Sequence, residues 1–344
     1  MKESYLKKKN SFLKKFFIKI CRLFNFEIID QANFYLPLEN KSAQESLSVL
    51  GKKSITIPMG KIEIKRPVNN LDIIFRSCSS VNMLTQNKKR LFEKEKSEYT
   101  LRSLNSIVKS LNYSKEEFKN IKIKITVVDH NSSNLVLESI NKILSNNYFE
   151  FEVFKLDISK FENEIDKINE QKNNVSNNQI SNMSNIYQSI LLAKKCSDLV
   201  YFVEDDYIHT KESFKEIVYT YEKFSTILEK DIFICPADYP YLYNSPENTR
   251  ILLGNQKHWR IVNQTLCTFL TSQKLVNQYF EALKSMCKFE HYPFEKPLHD
   301  IYKNIPCFSP IPSLSMHCAN INSVYGLPPN VNWKSIWDEN KNYK

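Results

Sequence analysis

The sequence predicts an α/β layered fold: a mixed, mostly parallel central sheet flanked by helices. Three observations predict it. From residue 71 onward, short apolar runs alternate with segments of helical periodicity, the pattern of strands joined by right-handed crossovers. One run, Leu199-Val200-Tyr201-Phe202-Val203, is apolar at every position, so both of its faces must be covered, as at the centre of a parallel sheet. Acidic residues follow that run at once, at the carboxyl end of a strand, where such sheets bind their ligands.

Residues 1–30 stand apart as a basic amphipathic extension. In KKKNSFLKKFFIKICRLFNF (residues 7–26), Phe12, Leu13, Phe16, Phe17, Ile20, Leu23 and Phe24 fall within an arc of about 140° when wound as a helix. Lys14, Lys15, Lys19 and Arg22 take the opposite side, with Ile18 as the intruder. Such a stripe suits a helix lying on an anionic membrane surface. It also suits a helix docked on the protein's own core with its lysines in water. Residues 31–70, with Pro37, Pro58 and Pro67, read as a connector holding extended pieces at 54–57 and 61–65.

The main domain is expected over 71–325, followed by a polar tail, 326–344. Its strands are predicted at 71–76, 121–129, 149–156, 199–203 and 232–235. A helix over 94–112 places Leu101, Leu104, Ile107, Val108 and Leu111 on one face. A second covers 135–144. A third is marked by Met183, Ile186, Tyr187, Ile190 and Leu191, and a fourth spans 211–224. Residues 161–178 are polar and rich in asparagine, and 254–260 (GNQKHWR) read as a polar loop.

Composition excludes several classes. Of the net charge of +10, residues 1–70 hold a surplus of eight, with 14 Lys and Arg against 6 Asp and Glu. The main domain is nearly neutral, so it lacks the basic footprint of a nucleic-acid-binding domain. No apolar run is long enough to span a bilayer, which takes about 20 residues, and no secretory leader is expected. The eight cysteines contain no C-x-x-C pair and read as reduced thiols. The four glycines, Gly51, Gly60, Gly254 and Gly326, are nowhere closer than nine positions. That rules out the glycine-rich loops that bring backbone against phosphate. A phosphorylated ligand must therefore be held in another way.

The acidic residues after the apolar strand are Glu204-Asp205-Asp206. Three adjacent carboxylates repel one another and are costly to desolvate together. Either they form a solvated turn, with Asp206 or Thr210 capping the next helix, or a divalent cation neutralises them, since Mg²⁺ and Mn²⁺ favour carboxylate oxygen.

Asp198-Leu-Val-Tyr-Phe-Val-Glu204-Asp205-Asp206 resembles the D-x-D segment of GT-A glycosyltransferases. Asp72-Ile-Ile-Phe-Arg76-Ser77 and the Leu101–Ile107 helix are similar to the opening of family 2 of those enzymes. Thr126-Val-Val-Asp129-His130-Asn131-Ser-Ser133 resembles their V-V-D-D-G-S strand end, with His130 for the second aspartate and Asn131 for the glycine. Pro312-Ser-Leu-Ser-Met-His317 resembles the late strand that delivers a histidine to the metal. The resemblance covers residues 71–320 and implies a GT-A-like, Rossmann-related sheet.

The same resemblance implies a nucleotide-sugar donor, a UDP-sugar first of all, and a divalent cation, Mn²⁺ or Mg²⁺. It implies Asp206 and His317 as metal ligands, and Asp205, Glu204, Asp129, Arg76 and Ser77 as donor contacts. Each has a structural alternative: His317 as a half-buried histidine, Asp129 as a turn residue. An inverting transferase also needs a general base. Asp300 is the choice on the acceptor side, with Glu295, Glu290 and Asp238 as alternatives and helix capping as the competing role. Asp238, His258, Trp259 and Arg260 are acceptor-side candidates, Trp259 either stacking on a sugar or packing in the core. Tyr325, Trp333 and Trp337 belong to a tail that would fold over the site.

The expected activity is metal-assisted transfer of a hexosyl or N-acetylhexosaminyl group, with inversion, to a saccharide or lipid-linked acceptor in surface polysaccharide or glycolipid synthesis. The expected location is cytoplasmic, peripheral on the inner face of the cell membrane. The alternatives are a sugar-phosphate nucleotidyltransferase and a non-catalytic, membrane-associated relative of the transferases.

Overall fold

The computed structural model describes residues 12–26, 54–57, 60–80, 91–244, 246, 248–318 and 323–341. The chain divides into two units, Met1–Ile64 and Lys65–Lys344. In the first, the amphipathic stripe forms helix α1 (Phe12–Leu23). Phe12, Leu13, Phe16, Phe17 and Leu23 are all more than half exposed. No described helix is long and apolar enough to cross a membrane. Strands β1 (Ser54–Ile57) and β2 (Gly60–Glu63) pair as an antiparallel hairpin. Residues 31–53, 58 and 59 of the expected connector lie outside the described residues.

The second unit begins with β3 (Asn70–Ser77), α2 (Lys96–Tyr113), β4 (Lys122–Asp129), α3 (Asn134–Leu144) and β5 (Glu150–Lys155). Then follow α4 (Asn177–Ala193), β6 (Leu199–Glu204), β7 (Tyr207–His209), α5 (Ser213–Leu228) and β8 (Phe233–Ile234). The chain continues through β9 (Ile251–Leu253), β10 (His258–Val262), β11 (Phe269–Ser272), α6 (Gln273–Gln278), α7 (Phe280–Lys288) and α8 (Lys296–Tyr302). It ends in β12 (Cys307–Ile311), β13 (Ser315–His317) and α9 (Trp333–Glu339). One nine-stranded sheet runs β5-β4-β3-β6-β11-β8-β12-β10-β9. The four strands β5, β4, β3 and β6 are parallel, and only β11 and β10 run against the rest. This is the mixed, mostly parallel central sheet that the sequence predicts.

The apolar run behaves as its composition requires. Leu199, Val200, Tyr201 and Val203 are fully buried in β6, between β3 and β11. Burying each side chain of this kind contributes about 1.5–3 kcal/mol. At the end of β4, Asn131 takes the left-handed conformation, with φ of 60°, which asparagine tolerates better than most residues. Neither Asp206 nor Thr210 caps α5; the N-cap is Glu212, with no side-chain cap bond.

Two expectations are corrected. Residues 254–260 are not a free polar loop: His258–Val262 is strand β10, paired with β9 on one side and β12 on the other. The strand pattern was hidden because Lys257, His258 and Arg260 interrupt the apolar residues. Nor is the C-terminal segment only a polar tail, because α9 places Trp337 in a buried cluster with Tyr99, Ile208, Met316 and Cys318. Arg102 lies 4.1 Å over the Trp337 ring and donates to its carbonyl at 2.7 Å.

Around β10, Glu216 of α5 accepts the Trp259 indole N–H at 3.0 Å and the backbone N–H groups of Asn255, Gln256 and Lys257. Gly254 lets the indole approach: a Cβ there would lie 2.3 Å from Trp259 Nε1 and 2.4 Å from Thr220 Oγ1. Gly254→Ala should therefore lower stability by about 1–3 kcal/mol, the usual cost of overpacking, measured by urea denaturation.

Candidate active site

A cavity of about 800 Å³ opens at the carboxyl ends of β3 and β6, within the size range of ligand pockets. Its lining includes Arg76 and Ser77 from β3, Lys96 from α2, Glu204-Asp205-Asp206 after β6, His317 from β13, and Tyr325. A polar face of α4 adds Asn178, Ser181, Asn182 and Asn185. The far wall is made by residues 169–171 against 290–295. There Asn169 donates to Glu290 at 2.9 Å, and Lys296 pairs with Glu170 at 2.8 Å.

Asp205 and Asp206 form the tight turn between β6 and β7. Each of the three carboxylates meets a different basic group. Arg76 Nη2 lies 2.9 Å from Glu204 Oε1, because β3 and β6 pair in a register that sets Arg76 beside Glu204. Lys96 Nζ donates to Asp205 Oδ1. Thr100 Oγ1 and the Cys78 N–H donate to Asp205 Oδ2 at 2.8 and 3.1 Å. His317 Nε2 lies 3.6 Å from Asp206 Oδ2. β13 pairs with β7, setting His317 opposite Tyr207, whose ring stacks on the imidazole at 4.7 Å.

The His317 tautomer follows from its other partner. Nδ1 lies 2.7 Å from the Tyr325 carbonyl, which can only accept, so Nδ1 carries the proton and Nε2 faces Asp206. Burial pulls the His317 pKa down, but Asp206 more than offsets it and the net shift is upward. In the same lining, burial first and the nearby Glu204 second raise the Glu295 carboxyl to about 7. Glu295 is the N-cap residue of α8, yet its side chain makes no cap bond.

The other expected site residues fall into two groups. Arg76, Ser77, Glu204, Asp205, Asp206 and His317 all line the cavity. Asp129 does not: it is buried, accepting the Ser77 hydroxyl at 2.5 Å and the Ser132 N–H at 3.2 Å. It therefore fixes the end of β3 instead of facing a ligand. Asp300 also lies outside the lining, exposed on α8 and paired with Lys303 at 2.5 Å. Asp238 and Arg260 form a buried ion pair with each other, with the Tyr243 hydroxyl on Asp238 at 2.5 Å. Trp259 is fully buried and cannot stack on a sugar; its neighbour His258 is exposed but lies outside the cavity lining. Tyr325 reaches the cavity, whereas Trp333 and Trp337 pack on the flank of α2.

Sequence reasoning missed Lys96, the α4 stripe and the 169–171 wall. The stripe had a signal, because residues 178, 181, 182 and 185 recur at helical spacing on a face beside that of Met183, Ile186 and Ile190. Lys96 had none: a lysine ahead of an amphipathic helix is ordinary.

Among the described residues no group of three or more His, Cys, Asp and Glu converges as a metal cage. Asp206 and His317 together offer one carboxylate and one imidazole nitrogen of fixed tautomer. That donor pair would suit a cation such as Mn²⁺, which favours carboxylate oxygen and imidazole nitrogen.

No family model matches the sequence, and no curated relative matches it. Several solved structures are similar to this chain. One is the UTP-bound UGPase from Acinetobacter baumannii, at 7% identity, covering 80% of this chain and 92% of that one, with a TM-score of 0.40. A second is the galactosyltransferase LgtC in complex with donor and acceptor sugar analogues, at 10% identity, 62% and 63% coverage and a TM-score of 0.33. A third is S. aureus TarS 1-349, at 14% identity, 63% and 55% coverage and a TM-score of 0.34. The chain thus spans less than two thirds of the galactosyltransferase and of the TarS structure.

The raised Glu295 pKa has a consequence for stability. Its folded value lies above the ordinary 4.5, so the protonated form favours folding. That contribution is complete below about pH 4.5 and is lost as pH rises through 7. Glu222, also raised to about 7 by burial, adds to the same slope in the unaltered protein. Glu295→Gln should therefore make stability fall less steeply between pH 5 and 8, as read from melting temperatures of the two proteins across that range.

Proposed function

We propose that this chain is a metal-assisted glycosyltransferase. In this reading it moves a hexosyl or N-acetylhexosaminyl group from a nucleotide-diphosphate sugar, a UDP-sugar first of all, to a saccharide or lipid-linked acceptor, with inversion. The observation that carries the reading is the convergence of Asp206 and His317 in a cavity at the carboxyl ends of parallel strands. Two chemically complementary groups, far apart in sequence, are held by the pairing of β7 with β13.

Asp206 and His317 would hold the cation, Mn²⁺ or Mg²⁺. When bound, it supplies charge neutralisation for the departing nucleotide. Asp205, held by Lys96, Thr100 and Cys78, would keep the turn in place, and Arg76 would fix Glu204. Ser77, at the cavity edge, would contact the donor. For the base, Glu295 takes the place of Asp300, because it lines the cavity and its pKa near 7 suits a group that must accept a proton at neutral pH. It would take the acceptor hydroxyl proton as that oxygen attacks the anomeric carbon and the nucleoside diphosphate leaves. Tyr292 is 75% exposed beside Glu295 in the cavity lining and would offer the sugar-stacking surface first sought in Trp259.

Addition of UDP with Mn²⁺ should raise the melting temperature, by about 2.7 kcal/mol of stabilisation at a hundred times the Kd. Asp206→Ala should erase the Mn²⁺-dependent part. In a donor screen, the unaltered protein should release nucleoside diphosphate with Mn²⁺ present. Glu295→Gln should lower kcat by about a hundredfold or more while donor binding persists. Release of pyrophosphate from a nucleoside triphosphate would favour a nucleotidyltransferase instead. A protein that binds UDP yet releases nothing would be a non-catalytic relative.

The exposed phenylalanines of α1, with Lys19 and Arg22 also exposed, support peripheral binding to an anionic membrane and so a lipid-linked acceptor. The full chain should sediment with vesicles containing anionic lipid, and a chain lacking residues 1–30 should not. Equal sedimentation of both would remove the membrane from the proposal.

A further inference from the structure

Lys96 is the cavity cation that no sequence motif announced, and its position bears on how a divalent ion would enter. Its side chain is only a tenth exposed, and it stands in the first turn of α2. A positive charge there opposes the helix dipole, so helix stability does not account for it. Its ammonium contacts Asp205 Oδ1 and also lies 4.0 Å from Asp206 Oδ2. The same Asp206 oxygen faces His317 Nε2 at 3.6 Å. A cation arriving at Asp206 and His317 therefore meets an ammonium 4.0 Å from the oxygen it must bind. Like charges at such a separation repel strongly where water is partly excluded.

A diphosphate reverses that balance. It brings negative charge next to both the ammonium and the cation, and it gives Lys96 a further anionic partner. Building on the proposed transferase reading, we propose that Lys96 makes cation binding at Asp206 and His317 conditional on a nucleoside diphosphate. The ammonium keeps the acidic turn compensated when no ligand is present. It becomes a diphosphate contact when the ligand arrives, and the cation then binds with it. In a chain without glycine-rich loops, a lysine in this place does part of what backbone amides do elsewhere.

The test is Mn²⁺ titration followed by electron paramagnetic resonance, on the full chain with and without UDP, for the unaltered protein, Lys96→Met and Lys96→Arg. UDP affinity in EDTA is measured in parallel by calorimetry. The unaltered protein should bind Mn²⁺ at least about tenfold more tightly with UDP than without, and binding coupling is reciprocal. Lys96→Met should tighten Mn²⁺ binding without UDP by about tenfold and weaken UDP binding in EDTA by a similar factor. Lys96→Arg, which keeps the charge, should behave as the unaltered protein. If the unaltered protein binds Mn²⁺ equally well with and without UDP, the proposal on Lys96 fails whether or not Lys96→Met folds, while the cation site stands. A cooperatively melting Lys96→Met with unchanged Mn²⁺ affinity overturns it too. Should Mn²⁺ bind under neither condition, the cation site itself falls and this proposal with it.

Discussion

Three carboxylates at the end of a fully buried strand are the constraint on which the site depends. Left alone, Glu204, Asp205 and Asp206 would repel one another at the edge of the core. The fold answers by bringing each a separate basic partner: Arg76, Lys96 and His317. Those partners come from β3, α2 and β13. The charge balance of one turn therefore depends on how several elements are assembled. It depends on register as well. A slip of one residue between β3 and β6, or between β7 and β13, would turn Arg76 or His317 to the opposite face and strand a carboxylate.

The surrounding polar network holds this arrangement still. Asp129 ties Ser77 to the start of the next loop, and the Tyr325 carbonyl fixes the His317 ring. The C-terminal helix α9 anchors α2 through Arg102 and Trp337, which steadies the helix that carries Lys96. Elsewhere, Glu216 gathers the backbone ahead of β10 around Trp259. That buried acid is held by hydrogen bonds from backbone and indole N–H groups and lies outside the cavity lining.

The glycine shortage keeps its meaning in part. It removed the phosphate loops, and the cavity is lined by both charged and neutral polar side chains. The sequence reads the acidic turn as either solvated or neutralised by a divalent cation, and neither expectation includes Arg76 and Lys96, which compensate two of its members. Of the glycines, Gly254 is required for close packing against an indole and not for any phosphate, while left-handed backbone after β4 is supplied by Asn131.

The sequence by itself determined the alternation of strands and helices, the centrality of Leu199–Val203 and the acidic turn that follows it. Those features depend on local periodicity and on solvent exclusion along one segment, which residue order expresses directly. His317 is singled out only by the resemblance of Pro312–His317 to a known late strand, not by periodicity or spacing. Only the tertiary structure decided which acids share the cavity. Asp300 and Glu295 lie five positions apart on and beside one short helix, and one faces water while the other faces the cavity. Only packing separated Trp259 in the core from Tyr292 in the open. Lys96 entered the site because α2 crosses near the end of β6, a relation between distant segments that no pattern within either of them records.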